Sequence, residues 1–524
     1  MRRASLLLTF SLGLALASRA AGAPATAAPP WVLNPPGLEY VRFGQPGEDG
    51  AYNIHCTRDG GYIVAGCVTT PGRQRDFSVL KLRADLSLDP AFGAGGRWVL
   101  GGTGDDQAVD VVEIAGATAA ASGYLVVGYT NRADGDFAGH RHHGKIDIVL
   151  ARLTAAGALD TTFGRGGLRL YGGSDDDEVL VHLHNYSEPG VRLRAVADGF
   201  VVAGMTRSRD GELAGIATVG TAQNRDVMLF KVDARGEYAR DFGDRGILRI
   251  GTKPGTLGGR EPNDFVWSLK PDTGGGLVAV GYHLGSGIEV DGRNVPSPGN
   301  LSIIPENRND RSLKHQMDGW VFRVDTTGRL RTGWARHGFA FVGGSRQEKI
   351  YDVEPTADAG YVVTGRTASW DLQFARPQGV GEDFDMVLAK LDAAGRPDAR
   401  FGRNGCVFVG GTEGDQGLRI AARGEDLFWL GQSASPPPAL RVQVPPEFFR
   451  QIVVLQLGPS GEWRGAWNLG GPGEEKATGL ALDSRGRVLV TGYHDATVFA
   501  EQDDKQGAAR DVFVMRLTVP PAPR

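Results

Sequence analysis

Cysteine is nearly missing: 3 among 524 residues, too few for the cross-linked framework of a small exported domain. Neither charge sign is in excess. There are 57 Lys+Arg against 61 Asp+Glu, a formal net charge of −4, which argues against nucleic-acid binding, since such proteins normally carry a basic face. Past the N-terminus no apolar run reaches the roughly 18 residues that a membrane-spanning helix requires. A nucleophile elbow, a P-loop, a dinucleotide fingerprint and a zinc-protease motif are all absent, so no catalytic signature names an activity. Disorder is excluded too, because hydrophobic residues are 41% and charged residues 23% of the chain.

What is abundant is glycine. Its 78 residues are about 15% of the chain, twice the usual share of roughly 7%. They show no collagen period, so they indicate tight turns between short strands and an all-β chain.

The first 23 residues have the layout of a secretory signal peptide: Arg2 and Arg3, an apolar run from Leu6 to Ala17, then Ala20, Ala21, Gly22 and Ala23. Cleavage after Ala23 or after Ala27 fits equally well. Removing Arg2, Arg3 and Arg19 takes the charge from −4 to about −7 (−4 − 3). Residues 24–36 read as a Pro/Ala-rich linker, 37–519 as one folded domain and 520–524 as a tail.

Within 37–519 one short strand ending in Gly recurs seven times: Tyr62 to Gly66, Tyr124 to Gly128, Phe200 to Gly204, Leu277 to Gly281, Tyr361 to Gly365, Leu427 to Gly431 and Val488 to Gly492. Apolar runs of this length bounded by Gly suit buried strands. A second strand follows, opening at Asp76, Asp147, Asp226, Asp318, Asp385, Gln451 or Asp511, and most close on a cation such as Lys81 or Lys390. Then come a turn such as Phe92-Gly93-Ala94-Gly95-Gly96, a third strand and a fourth. Four antiparallel strands repeated seven times predict a single seven-bladed β-propeller. The last repeat lacks its outermost strand. Residues 38–44 carry the missing pattern, so the N-terminal strand is expected to complete the seventh blade and close the ring, hiding the sheet edges.

The unit from Asp59 to Gly96 (D-G-G-Y-I-V-A-G, D-F-S-V-L-K-L, D-P-A-F-G-A-G-G) resembles the delta-60 repeat of exported bacterial proteins, and Gly128 to Asp147 is similar to related bacterial propeller repeats. The resemblance implies a propeller fold from Leu38 to Val519 and says almost nothing about activity.

Labelling strands A to D from the axis outward, the B–C loops vary most, from 10 residues (Gly66 to Asp76) to 37 (Gly281 to Asp318). Insertions gathered on one face mark the binding face of a repeat protein. The longest, in blade 4, is expected to cover part of the central opening or else to be disordered. Strand A aligns Asp49, Asp106, Glu178, Asp264, Glu348, Asp415 and Glu475 in one row. Four residues on lie Asn53, Asp110, His182, Ser268, Asp352, Arg419 and Gly479. Strand alternation puts both rows on one side. A ring of carboxylates could hold Ca²⁺ or a cationic ligand, but an acid repeated in every blade more simply accepts backbone N–H groups. The second row varies between blades, so no common structural need explains it. Asp134, Asp136 and Asp147 resemble a short oxygen-rich Ca²⁺ loop without EF-hand spacing. His140, His142 and His143 share that loop, and His283 and His494 occupy matching places after strand B; no third ligand completes a zinc site. Cys56, Cys67 and Cys406 are expected to be free and buried.

Three functional readings follow. The leading one is an exported, non-enzymatic, monomeric scaffold whose loop-rich face holds a protein, peptide or glycan, with no nucleic acid and no transmembrane segment. The second is a hydrolase or lyase with Asp110, His182, Asp352, Glu354 and Arg419 around the axis; two carboxylates within about 10 Å in a concave axial pocket would favour it. The third is a Ca²⁺-stabilised surface protein.

Overall fold

A computed structural model describes residues 32–519 apart from 34, 45–46, 117–121, 180, 184–185, 189, 217–223, 253–262, 285–287, 291–292, 296–316, 345, 370–373, 375–383, 411–413, 434–450, 470–473 and 496–509. The expected signal peptide, most of the linker and the tail fall outside it.

Seven antiparallel sheets follow one another in a ring, as the repeat predicts. Blade 1 shows the plan: strand A (Gly50–Cys56) pairs with B (Tyr62–Thr69), B with C (Arg75–Leu82) and C with D (Arg97–Leu100). The A strands of blades 2, 4, 5, 6 and 7 are Asp106–Ile114, Asp264–Pro271, Glu348–Pro355, Gln416–Arg423 and Glu474–Leu482. Blade 7 has A, B (Val488–Asp495) and C (Arg510–Leu517) of its own, and its D strand is Leu38–Phe43, paired in register from Leu38 opposite Leu517 to Phe43 opposite Val512. This closes the ring. Arg516 clasps Glu39 across the join at 2.8 and 2.5 Å. Just before it, Val32–Leu33 adds a short parallel strand to Trp463–Leu469 of blade 6, so the end of the expected linker lies along the outer edge of that blade.

Two kinds of contact join neighbouring blades. Apolar side chains interdigitate between sheets: Phe77, Val79 and Phe92 of blade 1 pack with Val126, Val149 and Leu168 of blade 2, all buried. In the C–D turns of blades 1, 2, 3 and 5 a buried aromatic is followed by a Gly with positive φ whose N–H reaches the next blade. Gly93 donates to Ala156 O at 2.8 Å, Gly164 to Arg235 O at 2.8 Å, Gly243 to Thr327 O at 2.7 Å and Gly402 to Ser460 O at 2.7 Å. Blade 4 carries Trp334-Ala335 in place of Phe-Gly, and the indole N–H of Trp334 makes the equivalent bond, to Ala393 O at 3.0 Å. Three of the cations that close the C strands pair with acids of the A–B turns: Lys81 with Asp59 at 2.7 Å, Lys231 with Asp198 at 2.7 Å, Lys390 with Asp358 at 2.5 Å.

Blade 3 departs from the plan. Its strand A is split into Asp177–Glu178 and Leu193–Val196, both paired with Gly199–Thr206, with a small hairpin (Val181–Leu183, Tyr186–Glu188) between them. Its outer strand, Ile247–Thr252, is extended by Ile288–Val290 and Arg293–Val295. These two strands belong to the long blade-4 loop. The described part of that loop therefore runs outward onto blade 3; the part expected to cover the central opening, 296–316, lies outside the described residues.

Candidate functional site

Chemistry at the axis is set by a bulge that recurs in strand A. The pairing slips between Ala51 and Asn53, Ala108 and Asp110, Val266 and Ser268, Ile350 and Asp352, Gly417 and Arg419, and Ala477 and Gly479. The residue before each slip faces the Gly that ends the repeated B-strand motif (Gly66, Gly128, Gly281, Gly365, Gly431, Gly492). Only Gly fits there: a Cβ at Gly365 would overlap the Lys349 carbonyl oxygen, and one at Gly281 that of Phe265. A bulge shifts the two-residue alternation by one. Asp106 lies opposite Thr130 and Asp110 opposite Val127, an odd step along strand B, so the two polar rows lie on opposite faces. The single-sided arrangement expected from alternation is corrected by this bulge.

The outer acidic row is turned inward. Asp49, Asp106, Glu178, Asp264, Glu348, Asp415 and Glu475 are all buried. Asp106 accepts from Gly102 N at 2.8 Å and Thr130 Oγ1 at 2.5 Å. Glu348 repeats this with Gly344 N at 3.0 Å and Thr367 Oγ1 at 2.8 Å. Asp49 accepts from Thr69 N at 3.1 Å. In blade 3 the equivalent acid is Asp177, bonded to Gly173 N and Ser208 Oγ at 2.8 Å; Glu178, which the sequence alignment placed there, pairs instead with Arg225 at 3.0 Å. Each latch faces the acid that opens strand C of the preceding blade. A Cβ at Gly172 would lie against both Asp147 and Asp177, and one at Gly343 against both Asp318 and Glu348, which accounts for the repeated Gly-Gly ends of the D strands. Burial, aided by those facing acids, pushes Asp106 and Asp177 up to about 7 and Glu348 up to about 8.

The inner row meets at the axis. Asp110 is fully buried, and four N–H donors fill its oxygens: His55 Nε2 at 2.7 Å, Val111 N at 2.9 Å, Arg192 N at 2.9 Å and Leu193 N at 3.1 Å. Asp352 takes Ser268 Oγ at 2.6 Å, Val353 N at 2.9 Å and Ile420 N at 3.0 Å, with Lys270 Nζ at 3.3 Å. Lys270 also bonds Glu354 at 2.7 Å and reaches two blades over to Ile420 O at 2.8 Å. Asn53 crosses from blade 1 to Gly190 O in blade 3 at 2.8 Å. These side chains are struts between inner strands, filling part of the channel. Arg419 is 3% exposed and lies in the field of Asp352 and Asp110, while burial pushes its guanidinium below the usual range.

Asp110, Asp352, Glu354 and Arg419 thus share the axis as the sequence suggested, but His182 does not. It sits on the blade-3 hairpin opposite Ser187. The inserted hairpin displaces the register, and Arg192, opposite Ala203, takes the axial place; its guanidinium bonds Val266 O and lies over Trp267. Sequence reasoning also missed His55, Arg194 and Lys270. They stand two residues beyond the inner row, a register that Val112, Glu354, Ala421 and Ala481 complete. Once Asn53 and Ser268 are aligned with Asp110, a count of two along strand A finds His55 and Lys270.

The expected Ca²⁺ trio is split. Asp134 is bonded to Thr103 N and Oγ1 at 2.7 and 2.6 Å, and Asp136 to Gly101 N at 3.0 Å, both bracing blade 1 against blade 2. Asp147 lies at the next junction and accepts His143 N at 2.7 Å. Among the described residues no three His, Cys, Asp or Glu side chains converge on a metal position. His283 is fully buried between Trp320 and Phe341, and desolvation takes it down to about 3, so it is neutral. His494 is buried against Glu475 at 3.4 Å. The cysteines are free, but Cys56 is only half-buried, bonded to Leu482 O at 3.4 Å.

No curated protein matches the sequence significantly. Among solved structures, a subtype N11 neuraminidase-like protein of A/flat-faced bat/Peru/033/2010 (H18N11) aligns at 8% identity over 79% of this chain and 96% of that one, TM-score 0.32. Two structures of the plexin A4 extracellular region align at 9% identity and TM-score 0.43 over 93% of this chain, which spans 40% and 47% of the plexin chains. Residues 57–92 match the domain of unknown function (DUF5122) β-propeller model, and with the seven-bladed ring this makes the chain a β-propeller repeat protein.

Proposed function

We propose that this propeller is an exported, non-enzymatic binding scaffold that holds a protein, peptide or glycan on the face carrying its B–C loops. The observation that supports this reading most directly is the use made of the axial acids. Asp110 and Asp352 spend their oxygens on backbone N–H groups of the neighbouring blade, which suits a rigid frame better than proton transfer. Length variation, by contrast, gathers in the B–C loops, where it costs the frame little. Export rests on the N-terminal segment, and the delta-60 resemblance points the same way. An affinity pull-down with the full chain, repeated with residues 285–311 replaced by a short Gly/Ser linker, tests this. Loss of the captured ligand supports the loop face, and unchanged capture removes the blade-4 loop from it.

A hydrolase or lyase is the second reading, favoured by one contact pair: Asp352 and Glu354 both reach Lys270 Nζ, at 3.3 and 2.7 Å, so two carboxylates lie within the span an acid and base would need. Turnover of a glycan or peptide substrate that Asp352→Asn abolishes, with the fold intact, would establish it over the scaffold.

A further inference from the structure

The B–C loops occupy one face of the ring, and the short A–B turns open onto the other. Near that second face the axis carries hydrogen-bonding capacity that the frame leaves unused. Asp110 is saturated by four N–H donors, so the Arg194 guanidinium stands 4.0 Å from it without a hydrogen bond. Arg194 Nη1 donates to Leu193 O at 2.8 Å; among the described residues no acceptor meets its Nε and Nη2. Its side chain is 15% exposed. A carboxylate can only accept, so His55 Nε2 carries the proton shared with Asp110, and Nδ1, on a side chain 27% exposed, is the ring nitrogen left to face a ligand. Glu354 gives one oxygen to Lys270 and keeps the other, at 21% exposure. Blades 6 and 7 place only Ala421 and Ala481 at this register.

We infer that this axial mouth is a second binding site, for a small carboxylate bearing a hydrogen-bond donor beside it, such as a hydroxy acid or amino acid. Arg194 offers a planar pair of N–H groups matched to a carboxylate. Glu354 accepts from the neighbouring hydroxyl or ammonium, and the neutral His55 ring accepts at Nδ1 as well. The small residues of blades 6 and 7 leave room for the ligand's carbon skeleton. The three axial carboxylates, Asp110, Asp352 and Glu354, repel a phosphate dianion more than a monoanion, and Arg194, Lys270, Arg419 and the Val266-bound Arg192 leave at most a small positive surplus, which suits a single carboxylate. This site is independent of the loop-face reading and stands or falls without it.

Isothermal titration of the full chain with L-lactate, L-alanine, propionate and inorganic phosphate tests the inference. Lactate and alanine bind, propionate, which lacks the donor, binds several-fold more weakly, and phosphate is weakest. Arg194→Lys keeps the charge and removes the fork, and weakens lactate about tenfold. Should that variant lower the melting temperature, Glu354→Gln supplies the second arm: alanine weakens and propionate does not. Phosphate binding as tightly as lactate, propionate matching lactate, lactate indifferent to Arg194→Lys in a stably folded variant, alanine indifferent to Glu354→Gln, or no heat with any of the four would each overturn it.

Discussion

Glu348 joins blade 4 to blade 5 through a carboxyl that is cheaper to keep protonated than charged. It is fully buried, accepts Gly344 N and Thr367 Oγ1, and faces Asp318. Its pKa rises from 4.5 to about 8 on folding, chiefly through burial and then through Asp318. The folded state therefore holds a proton that the unfolded chain has released, and stability falls as pH rises between about 4.5 and 8. A rise of about 3.5 pK units corresponds to at most about 5 kcal/mol. Asp106 and Asp177 add slopes of the same sign. His283, held neutral by burial, contributes the opposite slope below its unfolded value of 6.5, so the test compares variants at each pH. Glu348→Gln keeps an acceptor for Gly344 and loses the titration. In thermal unfolding it should match the wild type near pH 5 and exceed it by several degrees at pH 8.5, on the order of 1–2 °C per kcal/mol for a domain of this size. A wild-type melting temperature that stays level or climbs from pH 5 to 8.5, relative to Glu348→Gln, would refute the argument.

Gly365→Ala sets a Cβ against the Lys349 carbonyl oxygen inside the bulge and should cost about 1–3 kcal/mol by chemical denaturation, whereas Gly333→Ala, with open space around its Cβ, should cost nothing measurable beyond about 0.5 kcal/mol; equal losses would contradict the bulge account. Ala335 holds φ 46° where blades 1, 2, 3 and 5 have Gly, so Ala335→Gly should stabilise blade 4 by up to about 1 kcal/mol, and a loss in the same assay would count against it. Asp134 and Asp136 are spent on backbone donors of blade 1, so Ca²⁺ should raise the melting temperature no more than Mg²⁺ does; a large rise specific to Ca²⁺ would restore the metal-stabilised reading.

The ring was legible because its determinants are local and repeat from blade to blade. A buried B strand ending in Gly recurs in all seven blades, a C strand opening with an acid in six, and an aromatic-Gly turn in four, each doing one mechanical task. Even the closing strand could be read, since Leu38–Phe43 supplies what the last repeat lacks. The bulge was not legible as a bulge. Its visible mark is the Gly of strand B, whose need arises across the ladder, from a carbonyl on strand A that the sequence around Gly365 does not reveal. That single slip separated two rows which simple alternation had placed together.

The axial site was legible only where its blade kept the common length. Asp110, Asp352 and Arg419 fell in register because strands A of blades 2, 5 and 6 are uninterrupted from bulge to turn. Blade 3 inserts a hairpin after Glu178, and an alignment anchored on the acid before it assigns His182 to a place that Arg192 fills. The anchor that survives is strand B, which has no insertion: Ala203 stands where Val127 and Thr364 stand in blades 2 and 5, and its partner across the ladder is the axial residue. Counting back from strand B places Arg194 opposite Val201, in the register of His55 and Lys270. The least regular blade thus supplies the guanidinium with spare N–H groups. A frame built on repetition can hold an asymmetric site only where the repetition fails, so the interrupted strand is where ligand chemistry should be sought first.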